Sequence, residues 1–230
     1  MLSRSLLTHR LAQVEEAIGA AASRSGRDRT QVQLIAVTKG QPVEVVQLAL
    51  EVGLQSFGEN RVQEALPKIA LWPKASWHLI GQLQRNKAAR AAAAFSMIHS
   101  VGSVRLALAL DQAAADGQRR LPVLLEVNVA QDESKGGVAP QSALELARTM
   151  SGLPHLSLEG LMTLAPRCQD PEQVRWVFTS LRRLRDSLAK ELALELPELS
   201  MGMSADFAVA VEEGATMIRL GHALFGAVDG

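Results

Sequence analysis

The stretch VQLIAVTKG, residues 32–40, carries a short apolar run directly before a lysine and a glycine. An apolar run of this length, bounded by turn residues, is typical of a buried strand in a parallel sheet. Pro42 then opens a helical pattern that Gly53 closes, because proline is tolerated in a first turn and glycine favours a helix end. Before the stretch, apolar residues recur at helical spacing over residues 4–24. The sequence therefore begins with a helix and continues with a strand and a second helix.

The same alternation of strands and helices continues along the chain. Further strands are predicted over residues 55–58, 77–81, 97–101, 123–128, 158–162, 198–201 and 217–220, with helices between them. Eight short strands separated by helices indicate parallel βαβ units, and eight is the number that closes a barrel. An open doubly wound sheet is the alternative, because periodicity does not report closure. We predict an α/β fold over residues 1–230, a single-domain (β/α)8 TIM-type barrel with an extra N-terminal helix and no helix after strand eight.

The composition excludes several classes of function. The 24 lysines and arginines balance 24 aspartates and glutamates, which gives no electrostatic case for a nucleic-acid or membrane partner. A single cysteine, Cys168, fits a reducing compartment, so we expect a cytoplasmic protein. The five histidines lack metal-ligand spacing, so no metal site is expected, and His99 is interpreted as a packed strand residue. The chain has no tyrosine, which excludes any mechanism that needs a phenol from it.

Lys39 is the most informative residue at a strand end. In a parallel barrel the functional site lies in the loops that follow the strands. An ammonium group at the end of an apolar strand is expected to be partly desolvated, which lowers its pKa. More of the amine is then neutral and able to form a Schiff base with a carbonyl compound. The alternative is a solvated lysine at the start of a loop.

The loops after strands seven and eight are the usual phosphate site of these barrels. Gly202 and Ser204 precede a short helix near Asp206, and Gly221 and His222 follow strand eight. Glycines let main-chain N–H groups approach a phosphate, and a hydroxyl adds a donor. The alternative is that these glycines only make turns, and Asp206 is expected to be a cap that points elsewhere. A Schiff-base lysine with a phosphate site indicates either a phosphosugar aldolase or a pyridoxal 5′-phosphate (PLP) protein, and spacing does not choose between them.

Nine segments at the strand ends, taken together, resemble the PLP homeostasis protein family. In chain order they are AVTK (36–39), FGENR (57–61), WHLIGQLQ (77–84), NK (86–87), EVNV (126–129), SKGG (134–137), GLM (160–162), LSMGMSAD (199–206) and RLG (219–221). The resemblance covers nearly the whole chain. It implies a barrel like the N-terminal domain of alanine racemase, with PLP held covalently as an aldimine on Lys39.

The resemblance also implies the roles of further residues. Ser204 and the main chain at Gly221 and His222 are expected to hold the phosphate, and Arg219 is expected to face the pyridine nitrogen. Three more residues are expected to line the cofactor pocket, namely Asn60, His78 and Met162. The sequence departs from the family pattern at His222, where a small hydroxyl residue is usual, and at Gly40, where a bulkier residue is common.

An arginine at the pyridine nitrogen would restrict the chemistry. PLP enzymes commonly use a carboxylate that keeps this nitrogen protonated, whereas arginine is always charged and only donates. This argues against transaminase and decarboxylase chemistry. Alanine racemase, which the site resembles, also needs a second acid/base, a tyrosine from a second domain of the partner subunit, and this chain has neither.

We therefore predict a non-catalytic PLP carrier that binds, buffers and delivers PLP inside the cell. Its expected partners are PLP and, as recipients, apo PLP-enzymes, and we expect a monomer without a nucleic-acid or membrane partner. The alternative function is that of a weak PLP-dependent amino-acid racemase. Lys135, in the loop after strand five, is a candidate second amine for transfer, and the alternative for this residue is a solvated loop lysine.

Overall fold

Eight parallel strands pair with their neighbours in chain order, and β1 also pairs with β8, so the sheet closes into a barrel. The computed structural model describes residues 2–226. The strands are β1 (Gln33–Val37), β2 (Ser56–Glu59), β3 (Ser76–Leu79), β4 (Met97–Val101), β5 (Leu121–Glu126), β6 (Leu156–Met162), β7 (Glu198–Ser200) and β8 (Met217–Leu220). The predicted TIM-type barrel is confirmed, and the open sheet is excluded.

Helices cover the outside of the barrel and connect its strands. They are α1 (Arg4–Arg24), α2 (Val43–Glu51), α3 (Val62–Leu71), α4 (Ala88–Ala94), α5 (Val104–Asp116), α6 (Ala143–Ser151), α7 (Arg175–Leu192), α8 (Phe207–Glu212) and α9 (His222–Phe225). The extra helix α1 precedes β1 as predicted, and it packs against α8 and α9 where the ring of helices would otherwise be open. Among the helices described between residues 2 and 226, none is long and apolar enough to cross a membrane.

The prediction that no helix follows strand eight was wrong. The helix α9 begins directly after β8, although it has only four residues. Leu224 and Phe225 are buried, which draws this turn onto the barrel, and Arg10 of α1 donates a hydrogen bond to the carbonyl of Leu224. A single turn of this length is too short to produce a periodic pattern in the sequence.

The core has two layers that follow from the alternation of side chains along each strand. The larger layer lies between the strands and the helices, and it contains Trp77 and Leu79 of β3. The smaller apolar layer, inside the barrel, contains four residues that are all buried, namely Ile35, Leu124, Met162 and Met217. His78 stands between Trp77 and Leu79, so its side chain points to the inside. The barrel interior is therefore only partly apolar.

Candidate functional site

A cavity of about 670 Å³ opens where the strands end, at the carboxyl side of the barrel. The location agrees with the rule that the loops after the strands carry the functional groups of this fold. Six of the eight residues that the sequence predicts for the site line the cavity, namely Lys39, Asn60, Ser204, Arg219, Gly221 and His222. The structure does not bring His78 and Met162 to the cavity wall.

Lys39 lies at the cavity, directly after β1, and its side chain is exposed. The expectation that the end of an apolar strand desolvates this amine is therefore wrong. The preceding residue, Thr38, is fully buried, so burial stops one residue before the lysine. The Lys39 side chain therefore extends from a buried strand end into solvent-accessible space.

A buried ion pair fixes the backbone beneath Lys39. Glu59 at the end of β2 is 0% exposed and Lys68 of α3 is 5% exposed. Lys68 Nζ donates to the carbonyl oxygen of Thr38 and to Glu59 Oε1, each at 2.7 Å. The Thr38 hydroxyl also donates to Glu59 Oε1 at 2.7 Å. This cluster joins the ends of two strands to a helix.

Lys68 has no predicted role, although the sequence contains a signal for it. Val62, Ala65 and Lys68 recur every three residues and are the buried residues of α3. A lysine on the apolar face of a helix is unusual, and it predicts a buried acidic partner. Glu59 belongs to the FGENR segment, but its pairing with a lysine nine residues later could not be deduced from that segment alone.

Arg219 is the buried cation of the site. Its side chain leaves β8 towards the barrel interior and is 3% exposed, although it still contributes to the cavity wall. Nη1 donates to Ser200 Oγ at 2.5 Å and Nη2 donates to the carbonyl oxygen of Thr163 at 2.8 Å. Burial lowers the pKa of Arg219 to about 10, while Asp206 and Glu126 act in the opposite direction. The guanidinium therefore stays charged at neutral pH.

Two carboxyl groups on the cavity wall accompany this cation. Burial raises the pKa of Glu126, and the amide of Gln82 donates to both of its oxygens at 2.8 and 2.7 Å. Burial also raises the pKa of Asp206, which accepts from the main-chain N–H of Met203 at 2.6 Å. The expectation that Asp206 points away from the site is wrong, because it lines the cavity. Gln82 and Glu126 had no predicted role.

The loops after β7 and β8 meet at the cavity, as the phosphate prediction requires. The main-chain N–H of Ala223 donates to Ser204 Oγ at 3.1 Å, which ties one loop to the other. A Cβ atom at Gly221 would lie 3.2 Å from the carbonyl oxygen of Val37, so the backbone packs closely there. Among residues 2–226, the main-chain N–H groups of Gly221 and His222 have no hydrogen-bond partner. The His222 side chain is exposed.

Asn60 is held at the cavity by close packing of β2 against the segment after β3. A Cβ atom at position 81 would lie 2.5 Å from the carbonyl oxygen of Asn60, so only glycine fits at Gly81. Asn60 is half-buried and contributes to the cavity wall.

His78 and Met162 lie inside the barrel, below the cavity. His78 Nδ1 is 2.9 Å from His99 Nε2, and Met162 packs in the interior layer with Ile35 and Leu124. Both side chains are enclosed in the barrel interior, so the prediction that they line the pocket is not met. His99 is fully buried in β4, so its interpretation as a packed strand residue is confirmed.

Lys135 brings a second amine to the cavity. Its Nζ donates to the carbonyl oxygens of Ala165 and Leu164 at 2.7 and 3.3 Å, and Asp132 Oδ2 lies 3.6 Å away. The side chain is 20% exposed, so Lys135 is not a freely solvated loop lysine.

Comparison with known proteins agrees with the family resemblance of the sequence. The family model described as "Alanine racemase, N-terminal domain" matches residues 10–229. A pyridoxal phosphate homeostasis protein of Aquifex aeolicus is 43% identical over 219 residues, which cover 94% of this chain and 96% of the relative. The protein of the same name from Escherichia coli K12 is 37% identical, with 97% of each chain covered.

Solved structures resemble the whole barrel. PipY of Synechococcus elongatus, solved with PLP bound, is 38% identical with a TM-score of 0.84, and the match covers 96% of this chain and 100% of PipY. An alanine racemase of Clostridium difficile has a TM-score of 0.78 at 14% identity, covering 98% of this chain and 60% of the racemase. At that identity the likeness shows the fold alone.

Proposed function

The chain belongs to the pyridoxal phosphate homeostasis protein family, and from this premise we propose how it binds and hands over PLP. The observation that carries the proposal is the convergence of Lys39, Ser204 and Arg219 on one cavity. An amine can form a Schiff base with an aldehyde, a hydroxyl can donate to a phosphate, and a guanidinium can donate to an unprotonated pyridine nitrogen.

The donor groups of the cavity fit PLP. Lys39 would hold the aldehyde carbon as a Schiff base, because its exposed amine is accessible from the cavity. Ser204 and the main-chain N–H groups of Gly221 and His222 would hold the phosphate. Arg219 would face the ring nitrogen and Asn60 would flank the ring. Bound PLP supplies an electron sink, and these residues bind and orient it.

We propose that the protein buffers and delivers PLP without turnover. A charged arginine is a donor only, so it does not keep the ring nitrogen protonated as a carboxylate would. The chain also has no tyrosine to act as the second base of a racemase. The open side of the cavity, where Lys39 is exposed, favours exchange of PLP with an acceptor such as an apo PLP-enzyme. A cytoplasmic location, a monomeric state and a single domain over residues 1–230 belong to the same proposal.

Weak amino-acid racemase activity is the second candidate function. The observation in its favour is Lys135, a second amine on the wall of the same cavity. Exchange of the α-hydrogen of amino acids in D₂O separates the two functions. Exchange at ordinary enzyme rates that is abolished in Lys39→Ala would reject the carrier proposal.

The first experiment is the absorbance spectrum of the purified protein after addition of PLP. We expect a yellow protein, and we expect Lys39→Ala to lose the absorbance while Lys190→Ala, on the exposed face of α7, retains it. Full absorbance in Lys39→Ala would refute the covalent link to Lys39. A protein that stays colourless with PLP would refute the assignment and favour a phosphosugar aldolase.

Delivery is tested with an apo PLP-enzyme as the acceptor. The holo-protein is expected to restore activity faster than free PLP at equal concentration. Equal rates would refute delivery but would leave binding intact.

A further inference from the structure

A series of hydrogen bonds runs through the barrel interior beneath the cavity. It begins at Arg219 on β8 and passes through Ser200 on β7, His99 on β4 and His78 on β3 to Ser76, and we call these five residues the interior network. The distances are 2.5 Å from Arg219 Nη1 to Ser200 Oγ, 2.8 Å from Ser200 Oγ to His99 Nδ1, 2.9 Å from His99 Nε2 to His78 Nδ1, and 3.0 Å from His78 Nε2 to Ser76 Oγ. Because β4 and β7 are not neighbours in the sheet, the bond between His99 and Ser200 crosses the interior.

One direction of the network satisfies every donor, and it starts at Arg219. A guanidinium group only donates, so Ser200 Oγ accepts from Arg219. Among residues 2–226, His99 Nδ1 is the one other atom hydrogen-bonded to Ser200 Oγ, so it is the acceptor that the buried hydroxyl hydrogen has. His99 Nδ1 is then an acceptor and carries no proton. A neutral imidazole has one N–H group, which in His99 must be Nε2–H, and this group donates to His78 Nδ1. By the same argument His78 carries its hydrogen on Nε2 and donates it to Ser76.

The surroundings keep both imidazoles neutral. Burial lowers the pKa of His78 to about 4. Burial also lowers the pKa of His99 well below its ordinary value, and the neighbouring His78 and the Arg219 cation act in the same direction. The nearby carboxyl groups, Glu126 and Asp206, line the cavity and interact with Arg219. A proton added to His99 Nδ1 would oppose the Ser200 hydroxyl hydrogen and would place a second cation close to Arg219.

We propose that Ser200, His99 and His78 are positioning residues that hold the Arg219 guanidinium in place, and that both imidazoles are fixed as neutral Nε2–H tautomers. Thr163 supplies a second anchor through its carbonyl oxygen. Arginine side chains have large rotamer entropy, so a guanidinium held at two points presents its charge in one orientation to the ligand. The effect on PLP rests on the proposed function, whereas the tautomers are a property of the protein itself.

The tautomers are measured first, by ¹⁵N NMR of the full chain with labelled histidine and without PLP. The signals of His78 and His99 are assigned by their loss in His78→Gln and His99→Gln. We expect both residues to carry the proton on Nε2 at pH 7. A proton on Nδ1, or a cationic ring, in either residue would overturn the proposal. This result does not depend on PLP binding.

The positioning role is measured with Ser200→Ala, which removes the acceptor of Arg219 and the donor to His99. We expect the affinity for PLP to fall about tenfold, as for the loss of one hydrogen bond to a charged group, and the absorbance maximum of bound PLP to shift. Ser200→Thr keeps the hydroxyl and should restore both. Ser96→Ala is the matched control, because Ser96 accepts a hydrogen bond from Trp77 N outside the network, and it should change neither.

The outcomes separate this proposal from the proposed function. If the wild type binds PLP and Ser200→Ala binds it with the same affinity and spectrum, the positioning role is refuted and the proposed function stands. If the wild type does not bind PLP, the proposed function fails, and the NMR result still decides whether the network has the inferred direction.

Discussion

Replacing Lys68 with methionine tests whether the buried ion pair holds the site together. The substitution keeps much of the side-chain volume but removes the charge and both hydrogen bonds of Nζ. Glu59 is left 0% exposed without its cation, and the Thr38 hydroxyl is its remaining hydrogen-bond donor among the described residues. Its other oxygen, Oε2, has no partner within residues 2–226.

The expected loss follows from this arrangement. Removing one partner of a buried ion pair costs about 3–5 kcal/mol, because the remaining charge is not compensated. The Thr38 hydroxyl still donates to Glu59, so we expect the lower end, about 3 kcal/mol. For a chain of this length that loss lowers the melting temperature by roughly 6–12 °C.

The assay is thermal and urea unfolding of the wild type and three variants. Lys68→Met should show the full loss, while Lys68→Met with Glu59→Gln should recover most of it, since no charge is then left buried. Lys190→Met, on the exposed face of α7, is the control and should stay within about 0.5 kcal/mol of the wild type. If Lys68→Met is as stable as Lys190→Met, or if the double variant is no better than the single one, the ion pair does not fix the end of β1.

Two further predictions concern pH and chain packing. Unfolded histidine binds a proton below about 6.5, whereas folded His78 binds one only below about 4, so stability should fall as the pH drops through this window. This difference in pKa corresponds to roughly 3 kcal/mol of unfolding free energy. The unfolding free energy of His78→Gln should therefore depend less on pH than that of the wild type. If the two proteins lose stability in parallel as the pH falls, the effect does not come from His78. A Cβ atom at Gly160 would lie 1.9 Å from the carbonyl oxygen of Glu198, so Gly160→Ala should prevent the pairing of β6 and β7 and yield insoluble protein. Gly152→Ala, where the nearest atom is 3.6 Å away, should remain soluble, and equal solubility and stability of the two variants would contradict the packing argument.

The order of elements could be predicted because each strand is short, apolar and bounded by turn residues. Residues 198–201 and 217–220 were predicted as strands, and the structure has Glu198–Ser200 and Met217–Leu220. Barrel closure depends on pairing between β1 and β8, which are far apart in the sequence, and no local pattern reports such a pair. The helix α9 escaped prediction because its burial against α1 is also a tertiary effect.

A site residue could be predicted only where a side chain of suitable chemistry stands at or close after the end of a strand. Lys39 and Ser204 follow their strands, Arg219 is the second-last residue of β8, and all three line one cavity. The level of a residue along the barrel axis is not visible in the sequence, so His78 was expected in the pocket although it lies beneath it. The exposure of Lys39 was misjudged for a similar reason, because burial ends at Thr38 and the apolar run does not show this.

The hydrogen bonds made by the acidic and basic groups of the cavity wall support binding of PLP without catalysis. Lys135 already donates to the carbonyl oxygens of Ala165 and Leu164, so it could act as a base only after these contacts break. Glu126 accepts from Gln82 at both oxygens, and Asp206 accepts from the main chain of Met203. Each of these groups is engaged in holding a loop or a neighbour, and the chain has no tyrosine to replace them. The engagement of these three groups supports the proposed carrier function, in which PLP is bound and released unchanged.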